Sequence, residues 1–236
     1  MRRDANTERE PLSARWGSRC PICLEEWDVN DTGVIRVCCC RMVCKSCSDK
    51  IETACPLCRV PLAETDAEEL AQLRRHVEDE VPEAIAFLGV AYRCGYFGLV
   101  KSDKKAAKIW KRAVELGDVV AMKNLAGLYY NGSGVKLDKK KAERLYRAAA
   151  DRGDAIAQIN LGILLVSEEK DEEAFRYCAL AADQGSTYAE CNLGCCYHYG
   201  KGTEVDLGKA RYWFERAAAK GYEKATRNLA ALDARV

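Results

Sequence analysis

The second part of the chain repeats itself, and an internal repeat narrows the accessible folds more than any other feature of the sequence. From about Pro82 onward, four alanines are each followed eleven residues later by a glycine. The four glycines are spaced 36, 32 and 36 residues apart. The pairs are Ala106 and Gly117, Ala142 and Gly153, Ala174 and Gly185, and Ala210 and Gly221. A period of this size is typical of stacked supersecondary units and not of one globular core.

Each repeat is predicted to be a pair of helices. In the second repeat, the pattern predicts a helix from Val119 to Tyr130, and the run Asn-Gly-Ser-Gly at 131–134 interrupts it. The second helix is expected to start at Leu137-Asp138 and to run to Gly153, where a glycine suits a left-handed C-cap. Residues 222–232 repeat only the first helix and are expected to form a C-terminal cap. Because a single pair cannot bury its apolar face, we expect an all-α solenoid of about four repeats over residues 82–236.

The repeat resembles the Sel1-like repeat family, which is related to the tetratricopeptide repeats. In the second repeat the matching positions are Ala121, Leu125, Tyr129, Gly132-Ser133-Gly134-Val135, Asp138, Ala142, Ala148-Ala149 and Gly153. The fourth repeat keeps Ala189, Leu193-Gly194, Tyr197, Gly200-Lys201-Gly202, Asp206, Ala210, Ala217 and Gly221. The third repeat lacks the Gly-x-Gly loop, so a tighter connection is expected there. The resemblance implies a curved solenoid that binds a protein substrate or adaptor, and it does not imply any catalytic chemistry. Its concave surface is expected to present Asn124, Tyr129, Asn160, Asn192 and Tyr197.

The segment before the repeats, residues 61–81, is interpreted as a connecting helix. Leu70, Leu73 and Val77 recur at helical spacing, and Thr65 with Glu68 has the spacing of a capping box. A solvated acidic linker is the alternative interpretation, since residues 63–81 contain seven acidic side chains.

Cysteine is concentrated near the start of the chain: nine of the 14 cysteines lie between Cys20 and Cys58. They occur as three Cys-x2-Cys pairs and one triplet, namely Cys20 and Cys23, Cys38-Cys39-Cys40, Cys44 and Cys47, and Cys55 and Cys58. Zinc takes four tetrahedral thiolate or imidazole ligands, so this set is sufficient for two structural ions. Residues 1–16 lack the apolar core of a signal peptide, so an intracellular protein, cytoplasmic or nuclear, with metal-bound rather than disulfide-bonded cysteines is expected.

The order of the pairs resembles the RING finger family, in which alternate pairs share an ion. That resemblance assigns Cys20, Cys23, Cys44 and Cys47 to the first zinc. It assigns Cys55, Cys58, Cys40 and Cys38 to the second, with Cys39 as the alternative to Cys38. Arg41 lies near the position where the usual pattern has a histidine, and a guanidinium does not bind metal, so this would be an all-cysteine variant. Residues 20–60 are therefore expected to form a small zinc-stabilised RING domain after a flexible N-terminal segment, residues 1–19.

The RING resemblance also implies a docking surface for a ubiquitin-conjugating enzyme. Ile22, Ile51, Pro56 and Leu57 would supply its apolar contacts, and Arg59 would bridge the conjugating enzyme and ubiquitin. Ile22 and Leu57 could instead pack inside the domain, and Arg59 could be a solvated charge. No residue of the chain would attack the substrate.

Two functions are consistent with this organisation: a RING-type ubiquitin ligase whose repeats hold a protein substrate, and a non-catalytic zinc-binding scaffold. The first is favoured by the set Ile22, Pro56, Leu57 and Arg59. The formal net charge of +1, and ten basic against nine acidic residues in 1–60, argue against a nucleic-acid partner. No apolar run is long enough to span a membrane. The remaining cysteines are expected to be buried or half-buried apolar side chains: Cys94, Cys178, Cys191, Cys195 and Cys196.

Overall fold

The structure is a computed structural model that describes residues 34–36, 41–43 and 63–234. The chain divides into two compact units, residues 1–102 and 103–236. Of the described residues, none forms a helix that is both long and apolar enough to cross a membrane.

Two short strands lie in the first unit, β1 (Val34–Arg36) and β2 (Arg41–Val43). They pair antiparallel, with Val34 opposite Val43 and Arg36 opposite Arg41. The four residues between them in sequence include the cysteine triplet and lie outside the described residues.

The first unit also contains two helices, α1 (Asp66–Glu78) and α2 (Pro82–Cys94), and a short 3-10 turn at Tyr96–Gly98. The Thr65 side chain accepts a hydrogen bond from the Glu68 backbone N–H at 3.3 Å, so the predicted cap starts α1. Helix α1 packs against α2 through buried Leu73 and Ala84. The acidic segment is therefore helical, and its apolar face is covered.

The second unit consists of eight helices among its described residues. They are α3 (Asp103–Glu115), α4 (Val119–Asn131), α5 (Lys139–Ala150), α6 (Ala155–Val166), α7 (Asp171–Asp183), α8 (Thr187–Tyr199), α9 (Leu207–Ala219) and α10 (Glu223–Asp233). Each helix packs mainly against the helices that precede and follow it. We call α4, α6, α8 and α10 the A helices, because each opens a repeat or the cap, and α3, α5, α7 and α9 the B helices.

Side chains just before the helices fix where most of them begin. Asp118, Asp154 and Ser186 cap the N-termini of α4, α6 and α8, and Asp138 and Asp206 cap α5 and α9. Each side chain accepts a hydrogen bond from the backbone N–H three residues ahead, a group that has no partner inside the helix. An aspartate or serine that recurs at equivalent positions therefore determines where these helices begin in each repeat.

The core of the second unit is built from alanines of both kinds of helix, leucines of the A helices and one recurring buried position on each B helix. Ala121, Ala157 and Ala189 on the A helices are completely buried. The B helices contribute Trp110, Tyr146, Cys178 and Phe214 at corresponding positions, all buried. Gly194 lies so close to Phe214 that a Cβ atom there would be 2.7 Å from the ring. Small residues on one helix therefore make room for a ring on the next.

The connections between paired helices follow the prediction. Seven residues join α4 to α5 and α8 to α9, whereas four join α6 to α7 in the third repeat. The expected tighter connection is therefore confirmed. The glycines that close the repeats, such as Gly153 with φ +87°, do adopt the left-handed conformation, but α5 ends three residues earlier, at Ala150.

One prediction about the free cysteines is wrong. Cys178 and Cys191 are buried, and Cys195 and Cys196 are half-buried, as expected, but Cys94 is exposed. Cys94 is the last residue of α2, next to the left-handed Gly95, and a side chain at a helix end has fewer neighbours to cover it.

Candidate protein-binding face

The predicted zinc ligands and the predicted contacts of the conjugating enzyme all lie outside the described residues. This applies to Cys20, Cys23, Cys38, Cys39, Cys40, Cys44, Cys47, Cys55 and Cys58, and to Ile22, Ile51, Pro56, Leu57 and Arg59. Within residues 63–234, no group of three or more histidine, cysteine or acidic side chains could hold a metal ion. The candidate site that the structure does describe is on the repeats.

The A helices of the second unit carry one asparagine each at the same position. Asn124, Asn160 and Asn192 lie five residues after the start of α4, α6 and α8, and Asn228 holds the equivalent place in α10. All four side chains are half-buried. The first three were predicted as surface residues from the repeat, whereas Asn228, in the cap, was not among the predicted residues.

Three of these amides are available to a partner. The side chains of Asn124, Asn160 and Asn192 make no hydrogen bond to any other described residue. A primary amide has two donor hydrogens and an acceptor oxygen, so each can bind a peptide group in either sense. A row of such amides is suited to a polypeptide partner.

Apolar side chains flank the asparagines on the same face. Ile156 and Ile163 on α6 are 55% and 42% exposed, and Tyr188 and Tyr199 on α8 are 38% and 63% exposed. Residues separated by three, four or seven positions share one face of a helix, so each pair brackets its asparagine. We call these residues, together with Asn124, Asn160 and Asn192, the A-helix face.

The A-helix face carries no exposed charge on its central helices. Helix α6 contains no charged residue. In α8 the one acidic residue, Glu190, is completely buried, and the one basic residue, His198, is half-buried. Lys123, the one charged residue of α4, is held by Asp154 at 2.8 Å. The B helices are highly charged by comparison, with five basic residues in α3 alone. An exposed surface without charges and with large apolar side chains is typical of a protein-binding site.

Two of the predicted surface residues lie elsewhere. Tyr197 is half-buried and packs against the buried residues of α7, α8 and α9, with its ring 5.4 Å from that of Phe175. Tyr129 occupies the equivalent place in α4, where the Lys141 ammonium lies 5.5 Å from its ring. Both tyrosines are five residues after the asparagine, which is about 140° around the helix, so they cannot share its face.

Ionic contacts between successive B helices hold the repeats behind this face. The Arg147 guanidinium on α5 donates to both carboxylate oxygens of Glu173 on α7, and to Glu143 at 2.8 Å. These hydrogen bonds lower the pKa of Glu143 and Glu173 below the usual range of a glutamate. Since the folded state favours the ionised forms, the contacts stabilise the fold fully above the unfolded pKa of about 4.3. This stabilisation is lost as the pH falls from there through the lower pKa values of the folded state.

The fold and this face together define a helical-repeat protein of the protein-binding class. The model of the Sel1 repeat matches residues 82–118, 119–154, 155–186 and 187–222. These matches cover more than half of the chain, which therefore belongs to the Sel1 repeat family, as the sequence predicted. Sel1 repeats are helical scaffolds that bind proteins. The match covers only residues 82–222 and so does not bear on residues 20–60.

Solved structures agree with this assignment. A Sel1 repeat protein from Oxalobacter formigenes is 27% identical, with a TM-score of 0.65, over 70% of this chain and 69% of that protein. A protective antigen of uropathogenic Escherichia coli strains, which displays an SLR fold, is 26% identical with a TM-score of 0.68. That alignment covers 74% of this chain and 38% of the antigen. No curated protein matches the chain.

Proposed function

We propose that this protein is a RING-type ubiquitin ligase in which residues 20–60 recruit a ubiquitin-conjugating enzyme and the A-helix face holds the protein substrate. The observation that carries the proposal is the spacing of nine cysteines, eight of them proposed zinc ligands, in four groups before a protein-binding repeat. A ligase of this type must bind two proteins at once, and the chain has one segment suited to each.

The donor set of residues 20–60 fits zinc. Eight thiolates, with Cys39 as a ninth that competes with Cys38, match the tetrahedral all-sulfur coordination of two structural ions. Zinc would act there only as a cross-link that shapes the chain, because a site filled by four cysteines has no open position for a substrate. The chemistry of transfer would belong to the conjugating enzyme.

The role proposed for the residues around the cysteines is to bind and orient. Ile22, Pro56, Leu57 and Ile51 would supply apolar contacts to the conjugating enzyme. Arg59 would donate hydrogen bonds to carbonyl groups of the enzyme and of ubiquitin together, since a guanidinium has five fixed donors. Holding ubiquitin in one orientation raises the reactivity of its thioester by removing rotational freedom before the reaction.

The A-helix face is the proposed substrate site. Its free amides, its exposed Ile156, Ile163, Tyr188 and Tyr199, and its lack of exposed charge favour an uncharged protein segment over a nucleic acid or a strongly acidic protein. We therefore propose that the substrate or adaptor protein expected on the repeats binds at the A-helix face.

A scaffold without transferase activity is the second candidate. It is favoured by the family match, which covers the protein-binding repeats and no transferase segment. In that case the cysteine-rich segment would bind zinc for structural reasons alone.

The test is the discharge of ubiquitin from a panel of conjugating enzymes onto free lysine, which needs no knowledge of the substrate. The full-length protein is expected to accelerate discharge with at least one enzyme. Ile22→Ala is expected to abolish the acceleration, and Arg59→Ala to slow it with little loss of affinity for the conjugating enzyme.

Matched controls are available on the repeats. Leu137→Ala removes an aliphatic side chain that is 55% exposed, and Arg144→Ala removes an exposed guanidinium. Both should leave the discharge rate unchanged. If the folded, zinc-loaded protein accelerates discharge from none of the conjugating enzymes, the scaffold replaces the ligase.

A further inference from the structure

Two cysteines on α8 share one hydrogen-bond donor, an arrangement that protein binding does not require. Cys191 and Cys195 are one turn apart, and the side-chain amide of Asn228 on α10 lies 3.7 Å from the first sulfur and 3.4 Å from the second. Cys191 is completely buried, whereas Cys195 is half-buried and lies on the A-helix face, three residues after Asn192. The asparagine amide at this position makes no hydrogen bond to any described residue in the other A helices, whereas in α10 the Asn228 amide donates to both sulfurs.

The contacts of the pair favour a thiolate on the outer cysteine. The Cys191 thiol donates a hydrogen bond to the Cys195 sulfur, and the positive charge of Lys224 and the amide of Asn228 add to its effect. Together they outweigh burial and lower the pKa of Cys195 to about 7. The pKa of Cys191 is raised, by the same hydrogen bond and by burial, so its proton stays in place. The pair therefore consists of one nucleophilic sulfur and one sulfur that supports it.

We propose that Cys195 is a thiol-modification site that reacts with low-molecular-weight disulfides such as glutathione disulfide. The Cys195 thiolate attacks one sulfur of the disulfide, the sulfur–sulfur bond of the reagent breaks, and the other sulfur leaves as a thiolate with the electron pair. The product is a mixed disulfide at Cys195, and no further oxidant is needed.

The position of Cys195 gives the modification a consequence. It lies seven residues after Tyr188 and four before Tyr199, so all three side chains share one face of α8. A peptide-sized adduct there would cover the end of the A-helix face nearest to α10. The modification itself does not depend on the proposed ligase activity, because it involves only residues of the second unit.

The experiment measures the alkylation of each cysteine of the full-length protein by iodoacetamide at pH 7, read by peptide-mapping mass spectrometry. Cys94 is the internal control, because it is exposed and lies outside the cluster. If exposure governs reactivity, Cys94 reacts first. The proposal requires that Cys195 reacts before Cys94. It also requires that glutathione disulfide, added to a separate sample that has not been alkylated, forms an adduct at Cys195, or a Cys191–Cys195 disulfide derived from it.

Variants separate thiolate stabilisation from exposure. Asn228→Asp keeps the shape of the side chain and places a carboxylate beside the sulfur, so alkylation of Cys195 should slow by at least about threefold, the net effect of fewer thiolates and a stronger nucleophile. Asn160→Asp makes the same change at the equivalent position of α6, and it should leave the alkylation rate of Cys195 unchanged. Asn228→Ala, which adds no charge, should slow the reaction less than Asn228→Asp.

The pH profile of the wild-type protein keeps the proposal testable if the variants do not fold. Besides the two cysteines, the titratable groups that face the pair are Lys224, Lys201, the thiols of Cys178 and Cys196, and the hydroxyl of Tyr222, whose pKa is itself raised by burial. The rate at Cys195 should reach half of its maximum near pH 7. A midpoint above about 8.5, the value of an ordinary cysteine, or a wild-type Cys195 that reacts more slowly than Cys94, would overturn the proposal.

Discussion

At the scale of the residue, the second, third and fourth repeats are each closed by one contact whose chemistry changes from repeat to repeat. The residue just before the closing glycine reaches the fourth residue of the A helix in the same repeat. In the second repeat Arg152 lies 3.2 Å from the Met122 sulfur, in the third Gln184 donates to Gln158 at 2.8 Å, and in the fourth Lys220 donates to Glu190 at 2.9 Å. The sequence does not predict this contact, because the paired residues share a position and not a residue type.

In the fourth repeat the contact carries the largest desolvation cost, because it buries the charged side chain of Glu190. Glu190 is completely buried, and one of its oxygens accepts from both Arg216 and Lys220 at 2.9 Å, whereas the other has no partner. The two cations are 38% exposed and can turn to water, but the carboxylate cannot. Removal of the cations should therefore cost far more than removal of the anion.

We predict that Arg216→Met with Lys220→Met lowers the free energy of unfolding by roughly 3–5 kcal/mol, because a buried carboxylate is left without a counter-charge. Glu190→Gln with Lys220→Gln recreates the pair of the third repeat and should cost about 1 kcal/mol, the size of one hydrogen bond. Urea unfolding followed by far-UV circular dichroism gives both values. Equal losses in the two double variants would show that the charge at Glu190 is not what the cations stabilise.

At the scale of the element, the Gly-x-Gly loop packs closely against the neighbouring repeat. A Cβ atom on Gly202 would lie 2.1 Å from the Asp171 carbonyl oxygen at the start of α7, and one on Gly134 would lie 2.5 Å from the backbone of Asp103 and Lys104 at the start of α3. The loop of one repeat thus touches the first turn of the preceding B helix. The sequence indicated a break in the helix at these glycines, but only the structure shows that the second glycine is needed for a close approach.

Glycines of two kinds can therefore be compared directly. Gly153 and Gly202 both have positive φ, +87° and +68°, but a Cβ atom on Gly153 would meet nothing within 4 Å. Gly153→Ala should lower the free energy of unfolding by about 1 kcal/mol, which is the strain of an alanine in the left-handed conformation. Gly202→Ala adds a clash with backbone and should cost roughly 2–4 kcal/mol in total. The measurement is the urea midpoint of each variant, and an equal shift for the two would mean that the loop moves away from α7 at little cost.

At the scale of the whole molecule, the sequence predicted the repeats better than the surfaces. Periodicity gave the four repeats, the short third connection and the cap, because buried alanines and closing glycines recur at fixed spacing. It grouped Tyr129 and Tyr197 with the asparagines, although these half-buried tyrosines lie about 140° around the helix from them, since the residue type does not tell which side of a helix faces water. It also missed the lack of exposed charge on α4, α6 and α8, which follows from the burial of Glu190 and the pairing of Lys123 with Asp154.

The two parts of the chain are predicted to respond differently to the removal of zinc. A metal analysis of the purified protein should give about two zinc ions per chain, because residues 20–60 offer eight suitably spaced thiolates. A strong chelator should remove both ions and unfold that segment, since structural zinc contributes on the order of 10 kcal/mol to small domains. The helical signal should remain, because the described helices contain no group of residues that could hold a metal.

The control is a protein with Cys44→Ser and Cys47→Ser, which should retain about one zinc ion and the same helical signal. Proteolysis followed by mass spectrometry should then show that cleavage after chelation is confined to residues before the repeats. Fewer than about two zinc ions in the wild-type protein would contradict the zinc-bound RING domain. A loss of most of the helical signal upon chelation would instead show that the repeats depend on the metal, which the separate chemistry of the two parts does not allow.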